Sequence, residues 1–311
     1  MEVIPGIEAW RRLDASAVVT IGMFDGVHRG HRRIIEIAHQ RARDLRLRCV
    51  VFTFDRHPLE TLKPGKHPPY LSSSAQKLRL LEELDVDLVL MSRFDAKFAA
   101  ISADSFFDNI LRKKLGAEVV VVGENFHFGR EGEGDIDYLK KLGDKRGVEI
   151  IAVPLLKEGK EVISSTSIRR LLEKGEVEEA NHRLGWDYTL EGFVVHGDHR
   201  GKSLGFPTAN LDIHDQRCVP ANGVYAGEAV LEHRNWPAGI YIGSIPTFKG
   251  RHRRRVEVHL LDFEGDLYDR YLGVEFQRRI RAEMSFPHVS ELQRQIAHDL
   301  DRVREFHEGK R

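Results

Sequence analysis

A chain of 311 residues, 41% hydrophobic and 31% charged, has room for roughly two domains at ~150 residues each and enough apolar content for a real core, so wholesale disorder and fibrous repeats are excluded. Its 48 Lys and Arg cancel 48 Asp and Glu; no global field recruits nucleic acid or an anionic membrane, and any phosphate recognition has to be local. Cys49 and Cys218 lie far apart with no zinc-type spacing, the N-terminus lacks a signal-peptide pattern, and no window approaches the ~20 apolar residues of a membrane span. A cytoplasmic protein with no membrane and no nucleic-acid partner is expected; the sequence specifies no oligomeric state.

In chain order, residues 17–24 (AVVTIGMF) read as a buried strand, residues 30–45 as a helix with Ile34, Ile35, Ile37 and Ala38 on its apolar side, and residues 48–54 as a second strand, which together make a βαβ unit. Further strands read at 86–91, 118–122 and 148–153, each preceded by a helical pattern at 76–84, 104–115 and 136–146, so a parallel, helix-flanked sheet is expected. Two short helices follow at 165–173 and 177–184, the second ending at Gly185, which suits a left-handed cap. The domain boundary is placed there, giving domains 1–185 and 186–311. Beyond it, strand-like runs at 189–195, 223–231, 239–242 and 255–263 recur without intervening helices, and a small antiparallel barrel is expected because closure removes exposed edges. Residues 290–306 read as a terminal amphipathic helix with Leu292, Ile296, Leu300 and Val303 in one stripe and Ser290 as its N-cap.

Residues 20–31 (TIGMFDGVHRGH) place Gly22, Phe24, Asp25, Gly26, His28, Gly30 and His31 between the first strand and the first helix. There, unpaired backbone N–H groups and the positive end of the helix dipole favour phosphate, and imidazole N–H groups can donate to phosphoryl oxygens. By pattern alone the same residues also fit a tight turn whose histidines merely cap the helix, whereas no third ligand at helical spacing supports zinc. In the second half, three glycines (Gly197, Gly201, Gly205) precede an extended Pro-Thr-Ala-Asn, where Thr208 and Asn210 project to the same side as hard oxygen ligands of the kind Mg²⁺ accepts. A glycine-rich hairpin with polar surface residues is the alternative. Glu257 falls on the face of its strand opposite Val256, Val258 and Leu260, where pattern alone makes it a solvent-facing residue. The basic run 251–255 reads as a solvated connection.

The segment GMFDGVHRGH resembles the HxGH signature of the nucleotidyltransferase superfamily, and specifically the bacterial bifunctional riboflavin kinase/FAD synthetase family. Phe54-Asp55-Arg56-His57-Pro58, residues 122–129 (VGENFHFG) and 163–169 (ISSTSIR) match that family in order, as do the Pro207–Asn210 signature and the blocks at 220–226, 243–248, 256–263 and 280–286. The resemblance spans nearly the whole chain. It implies a Rossmann-like N-terminal domain that adenylylates FMN with ATP, and a riboflavin kinase β-barrel that phosphorylates riboflavin with a second ATP, both with Mg²⁺.

It further implies ATP binding by Gly22, Phe24, Asp25, Gly26, Gly30, Ser165 and Thr166, with His28, His31 and Arg169 neutralising phosphoryl charge, and flavin binding by Phe54, His57, Pro58, Asn125 and Phe128. In the second half it implies ATP binding by Gly197, Lys202 and Gly205, Mg²⁺ on Thr208 and Asn210, Glu257 as catalytic base, and Arg281 and Glu283 on the flavin. Taken alone, Phe54 and Phe128 read as sheet-edge core packing, Ser165 and Thr166 as a helix cap, and Arg281 as a helix-surface ion pair. The chain departs from the family at Tyr241 (usually Asn), Asp269 (usually Gly), Ser285, His127, Ser167 and Arg56. An adenylyltransferase with another acceptor, or a nucleotide-binding regulator, are the competing readings; the Pro207–Asn210 half speaks against the first and the paired histidines with Glu257 against the second.

Overall fold

Runs of β-branched residues such as AVVTI and AEVVVVG are buried along almost their entire length, as strands covered on both faces must be. The computed structural model describes residues 1–7, 16–197, 204–214, 216–246 and 252–310, without the side chains of 245, 246, 252 and 253. It divides into two compact units, one of Met1–Pro68 and Ser72–Ser165, the other of Pro69–Leu71 and Thr166–Arg311.

The first unit carries a parallel six-stranded sheet of order β1-β4-β3-β2-β5-β6, made of β1 (Glu2–Pro5), β2 (Ala17–Ile21), β3 (Arg48–Phe54), β4 (Leu88–Ser92), β5 (Ala117–Gly123) and β6 (Glu149–Val153). Helix α1 (Arg29–Leu45) lays Ala38 and Ala42 on one face against Val18, Val119 and Val121. The other face holds a phenylalanine-rich core that includes Phe52, Phe54, Phe106, Phe107 and Phe128. From β2 the chain winds outward one way through β3 and β4 and the other way through β5 and β6, so the carboxyl end of β2 lies at the point where strand order reverses, where open α/β sheets bind ligands. Short helices α2 (Pro58–Leu62), α3 (Ser74–Glu82), α4 (Ala96–Ala99) and α5 (Ala103–Ser105) and the longer α6 (Ile136–Arg146) complete this unit, with a hairpin of β7 (Lys157–Glu158) and β8 (Glu161–Val162) before its end.

The helix expected over 104–115 is α5 running into a π-helix, Phe106–Lys114, with Leu115 N–H donating to the Ile110 carbonyl at 2.8 Å. The apolar spacing of Phe106, Phe107, Ile110 and Leu111 buries one face in either geometry, so periodicity alone does not distinguish them. Strand β1 was not anticipated: four residues with no alternation carry no strand signal, and it is fixed by parallel pairing with β4.

The second unit begins with α7 (Ser165–Lys174) and α8 (Val177–Leu184), the latter capped by Gly185 at φ 80° as expected. A closed antiparallel barrel of order β10-β13-β12-β11-β14-β9 follows, from β9 (Thr189–Val195), β10 (Ala209–Asp212), β11 (Gly223–Leu231), β12 (Arg234–Pro246), β13 (His252–Leu260) and β14 (Tyr271–Ala282). Tyr225, Ile240, Ile242, Val258, Val274 and Phe276 are fully buried. Helix α9 (Val289–Glu308) packs Leu300, Val303 and Phe306 on Val224, Ala226 and Ile280. Gly239 permits that approach, since a Cβ there would come within 2.9 Å of Leu300. The helix starts one residue before Ser290, with His288 at the cap position and no side-chain capping bond, so the expected Ser290 cap is not formed. The residues read as a loop at 251–255 lie, from His252 onward, in β13, and β14 was missed although Leu272, Val274 and Phe276 alternate, because Gln277, Arg278 and Arg279 interrupt the pattern.

Candidate active sites

In the first unit, β2 ends at Ile21 and the chain reaches α1 through a loop in which Phe24, Gly26 and Val27 have φ of 48°, 78° and 35°. Two non-glycine residues held in the left-handed region mark a constrained loop. Gly22 suits this position, because a Cβ would sit 3.0 Å from the buried Phe24 ring, which would have to shift. His28 is the N-cap of α1: its Nδ1 accepts the His31 N–H at 3.3 Å, which fixes the neutral tautomer with its proton on Nε2. The His28 and His31 rings stack at 3.6 Å, and Phe24 meets His31 edge-on at 5.3 Å. The two sequence readings of this motif are thus both physical: one histidine caps the helix while bringing the second alongside it. Burial first, then the proximity of His28 and Lys77, holds His31 well below the usual imidazole range. Its Nδ1 is buried and without a hydrogen-bond partner among the described residues.

The loop is braced from outside. Ser72 N–H donates to Asp25 Oδ1 at 3.2 Å, Gly26 N–H donates to Ser72 Oγ at 3.1 Å, and Ser165 Oγ donates to the Asp25 carbonyl at 3.0 Å. Ser165 therefore meets the same loop as the histidines, and Gly30 leaves space beside the His28 ring and the Ile163 carbonyl. Ser72, which sequence reasoning missed, carries no motif that could have revealed it. Of the expected flavin residues, Phe54 and Phe128 are buried in one aromatic core with Phe94, Phe98 and Phe106, His57 caps α2 through Leu59 N–H at 3.1 Å with Pro58 at its first position, and Asn125 is exposed.

In the second unit, Thr166 is exposed and Arg169 is buried, its Nε donating to the Pro69 carbonyl at 2.6 Å. The barrel then aligns residues far apart in sequence. Asn210 pairs with Glu257 across β10 and β13, Glu257 with Tyr241 across β13 and β12, Tyr241 with Val224, and Val224 with Arg281. Directly paired residues share a face, so Asn210, Glu257, Tyr241 and Arg281 form one row on the outer surface. Thr208 Oγ1 donates to Glu257 Oε2 at 3.2 Å and Arg255 Nη1 to Glu257 Oε1 at 3.2 Å. Gly197 lies so close to the Asn210 amide that a Cβ would stand 2.3 Å from it, and Gly205 has φ 88°. Lys202 lies outside the described residues. Glu257 is thus half-buried and doubly hydrogen-bonded rather than a plain solvent-facing residue, and Arg255, read as part of a solvated connection, is its partner.

Arg281 is a strand residue, not a helix-surface one: it is paired with the buried Asp299 of α9 at 2.8 Å. Glu283 accepts from Tyr241 Oη at 2.9 Å and from Asn222 Nδ2 at 2.8 Å, and burial together with Glu283 pushes the Tyr241 phenol up to about 12. Asp269, where glycine was expected, has φ 59°, which explains the preference and why Asp, tolerant of that region, substitutes. Among the described residues no three His, Cys, Asp or Glu side chains cluster as a metal site, but Thr208 and Asn210, beside Glu257, supply oxygen donors of the kind that suit Mg²⁺, which is held by few protein ligands alongside phosphate. No helix among the described residues is long and apolar enough to cross a membrane.

An open α/β sheet with stacked histidines at its reversal point, joined to a six-stranded barrel with a polar row that includes Glu257, defines a tandem of a nucleotidyltransferase-type domain and a flavokinase-type barrel. The profile described as FAD synthetase matches residues 11–167, and that described as riboflavin kinase matches residues 184–307. A protein of Escherichia coli K12 named bifunctional riboflavin kinase/FMN adenylyltransferase is 40% identical over 308 residues, 98% of each chain, and one of that name from Listeria monocytogenes is 36% identical over 94% of this chain and 93% of its own. A crystal structure titled macrolide-efflux protein, from Streptococcus pneumoniae, has a TM-score of 0.90 at 33% identity over 98% of this chain and 99% of that one. The chain belongs to the bifunctional riboflavin kinase/FMN adenylyltransferase family.

Proposed function

We propose that the chain makes both flavin cofactors, phosphorylating riboflavin to FMN in its C-terminal half and adenylylating FMN to FAD in its N-terminal half, with the functional boundary near Gly185. What supports this reading is that one chain carries two separate clusters, the His28/His31 loop and the Glu257 row, each within the residues that the corresponding family profile matches.

In the kinase half, Glu257 accepts the proton of the ribityl 5′-hydroxyl as that oxygen attacks the γ-phosphorus of ATP. Arg255 and Thr208, each on one carboxylate oxygen, orient it. Thr208 and Asn210 would hold Mg²⁺, supported by the Gly197 cradle around the Asn210 amide; when bound, the ion supplies charge neutralisation on the transferred phosphoryl oxygens. Gly197, Lys202 and Gly205 belong to the loop assigned to the nucleotide, and Arg281 and Glu283 to the flavin.

In the transferase half, an FMN phosphate oxygen attacks the α-phosphorus of ATP and pyrophosphate leaves. The nucleophile is already anionic, so no base is needed and the work is positioning and charge stabilisation. His31 enters neutral, as a donor stacked on His28, with Gly22, Phe24, Asp25, Gly26 and Gly30 forming the phosphate loop and Ser165 bracing it; the family resemblance also assigns Thr166 and Arg169 to the ATP phosphates. Phe54, His57, Pro58, Asn125 and Phe128 are assigned to the flavin side. Two buried free thiols, with Cys49 pushed up to about 12 by burial, suit the reducing cytoplasm. Incubation with riboflavin, ATP and Mg²⁺ followed by HPLC tests the whole reading: FMN and FAD are expected, FMN alone assigns no transferase activity to the first half, and neither product rejects it.

A further inference from the structure

Lys77 lies on α3 and is 5% exposed. An ammonium offers three N–H donors and no acceptor, and the side chain meets Met23 O at 3.0 Å, Phe54 O at 2.9 Å and Thr53 Oγ1 at 3.5 Å. Thr53 Oγ1 in turn donates to Met23 O at 3.1 Å, so the contacts close a ring. Met23 belongs to the loop that leaves β2 toward His28. Phe54 ends β3 and opens the segment that leads to His57 and Pro58. One buried cation therefore ties together the two loops that the proposed function assigns to the nucleotide and to the flavin. With its donors engaged on the chain, Lys77 contributes through position and charge.

Retaining a buried charge in place of an apolar side chain is costly, and desolvation draws this ammonium down to about 8, with Asp25 and Asp55 pulling the other way. The titratable groups that face it are Asp25, Asp55 and His31, on which His28 is stacked.

We propose that Lys77 is a positioning residue for adenylyl transfer, setting the separation of the Met23 and Phe54 loops and so the approach of the FMN phosphate to the α-phosphorus of ATP. This rests on the assignment of the transferase site to the His28/His31 loop. Loss of the proton leaves an amine with two donors for three acceptors, so the transfer step weakens as pH rises through about 8. A misplacement of about 1 Å at a reacting centre can cost ~10²-fold.

The test uses the full chain and measures FAD formation from FMN and FMN formation from riboflavin, each as kcat and KM across neutral to alkaline pH. Lys77→Met is expected to lower kcat for FAD formation by ~10²-fold with little change in KM for ATP and no change in riboflavin phosphorylation. Lys77→Arg, which keeps its charge at alkaline pH, is expected to recover part of kcat and to abolish the alkaline limb. An unchanged kcat in Lys77→Met, or a wild-type limb persisting in Lys77→Arg, overturns the proposal; should Lys77→Met not fold, the Lys77→Arg profile decides it. A parallel His28→Ala/His31→Ala variant separates the two levels: retained FAD synthesis there rejects the site assignment itself, whatever Lys77 does.

Discussion

The two units carry their candidate sites on different parts of their folds. In the parallel sheet the central strands are covered on both faces, and the candidate chemistry centres on the connections at the carboxyl ends of β2 and β3, where the stacked His28 and His31 and a buried cation are packed around constrained backbone. In the barrel the candidate residues include a row on the outer strand surface, where Asn210, Glu257, Tyr241 and Arg281 are brought into line by pairing register. A loop site is contiguous in sequence and is specified by local conformation; a row site is assembled from four strands and exists only once the barrel has closed. The first is therefore sensitive to backbone strain and burial, the second to anything that shifts one strand against another.

The sharpest way to break this comparison is reciprocal. Glu257→Gln is expected to slow FMN formation by ~10²–10⁴-fold and leave FAD formation from supplied FMN intact. The His28→Ala/His31→Ala double variant should slow FAD formation by ~10²–10³-fold and spare the kinase. HPLC with either flavin supplied reads both, and parallel loss in either variant refutes separate sites.

A smaller effect tests whether the row depends on α9. Asp299→Ala removes the buried partner of the half-buried Arg281 guanidinium and should cost about 1–3 kcal/mol, seen as an earlier urea midpoint for the barrel and a raised KM for riboflavin. An unchanged midpoint would show that the pair contributes no net stability.

Acid provides the next test, aimed at the first unit. His31 is held below its unfolded value of 6.5, so between that value and its folded one the unfolded chain binds the extra proton. Stability is accordingly full above pH 6.5 and is lost progressively as pH falls through that window. Urea titrations from pH 8 to pH 5 should show this decline flattened in His31→Gln, and equal slopes would mean that His31 is not buried in its neutral form. The smallest expected effect is Asp269→Gly, which removes a left-handed conformation costly to a side chain but frees the unfolded chain; the midpoint should move by less than about 1 kcal/mol equivalent, with opposing contributions.

How much of this was legible follows the same division. The alternation of buried strands and amphipathic helices made the parallel sheet readable, and Ile136–Arg146, Arg48–Phe54 and Val177–Leu184 have the boundaries that their patterns imply. The His28/His31 loop was readable because its glycines and histidines are adjacent in sequence. Lys77 and Ser72 were not, since a lysine on a short helix and a serine before one look like ordinary surface and capping residues; their significance comes from the loops packed against them. In the barrel, the inward faces of Val256, Val258 and Leu260 were predictable from period two, yet no one-dimensional pattern reports that Tyr241 pairs with Glu257 or that Asp299 neutralises Arg281. These relations arise from strand register and helix docking, which are long-range.

The chain also carries a natural pair of reporters. Cys49 lies within β3 of the first unit and Cys218 within the second, both shielded and unoxidised. Because only a thiolate exposed to solvent reacts appreciably with an alkylating reagent, modification of each must wait for its own surroundings to open. Mass-resolved alkylation kinetics at the two positions would then measure the opening free energy of each half independently, in the unmodified enzyme and without an introduced label.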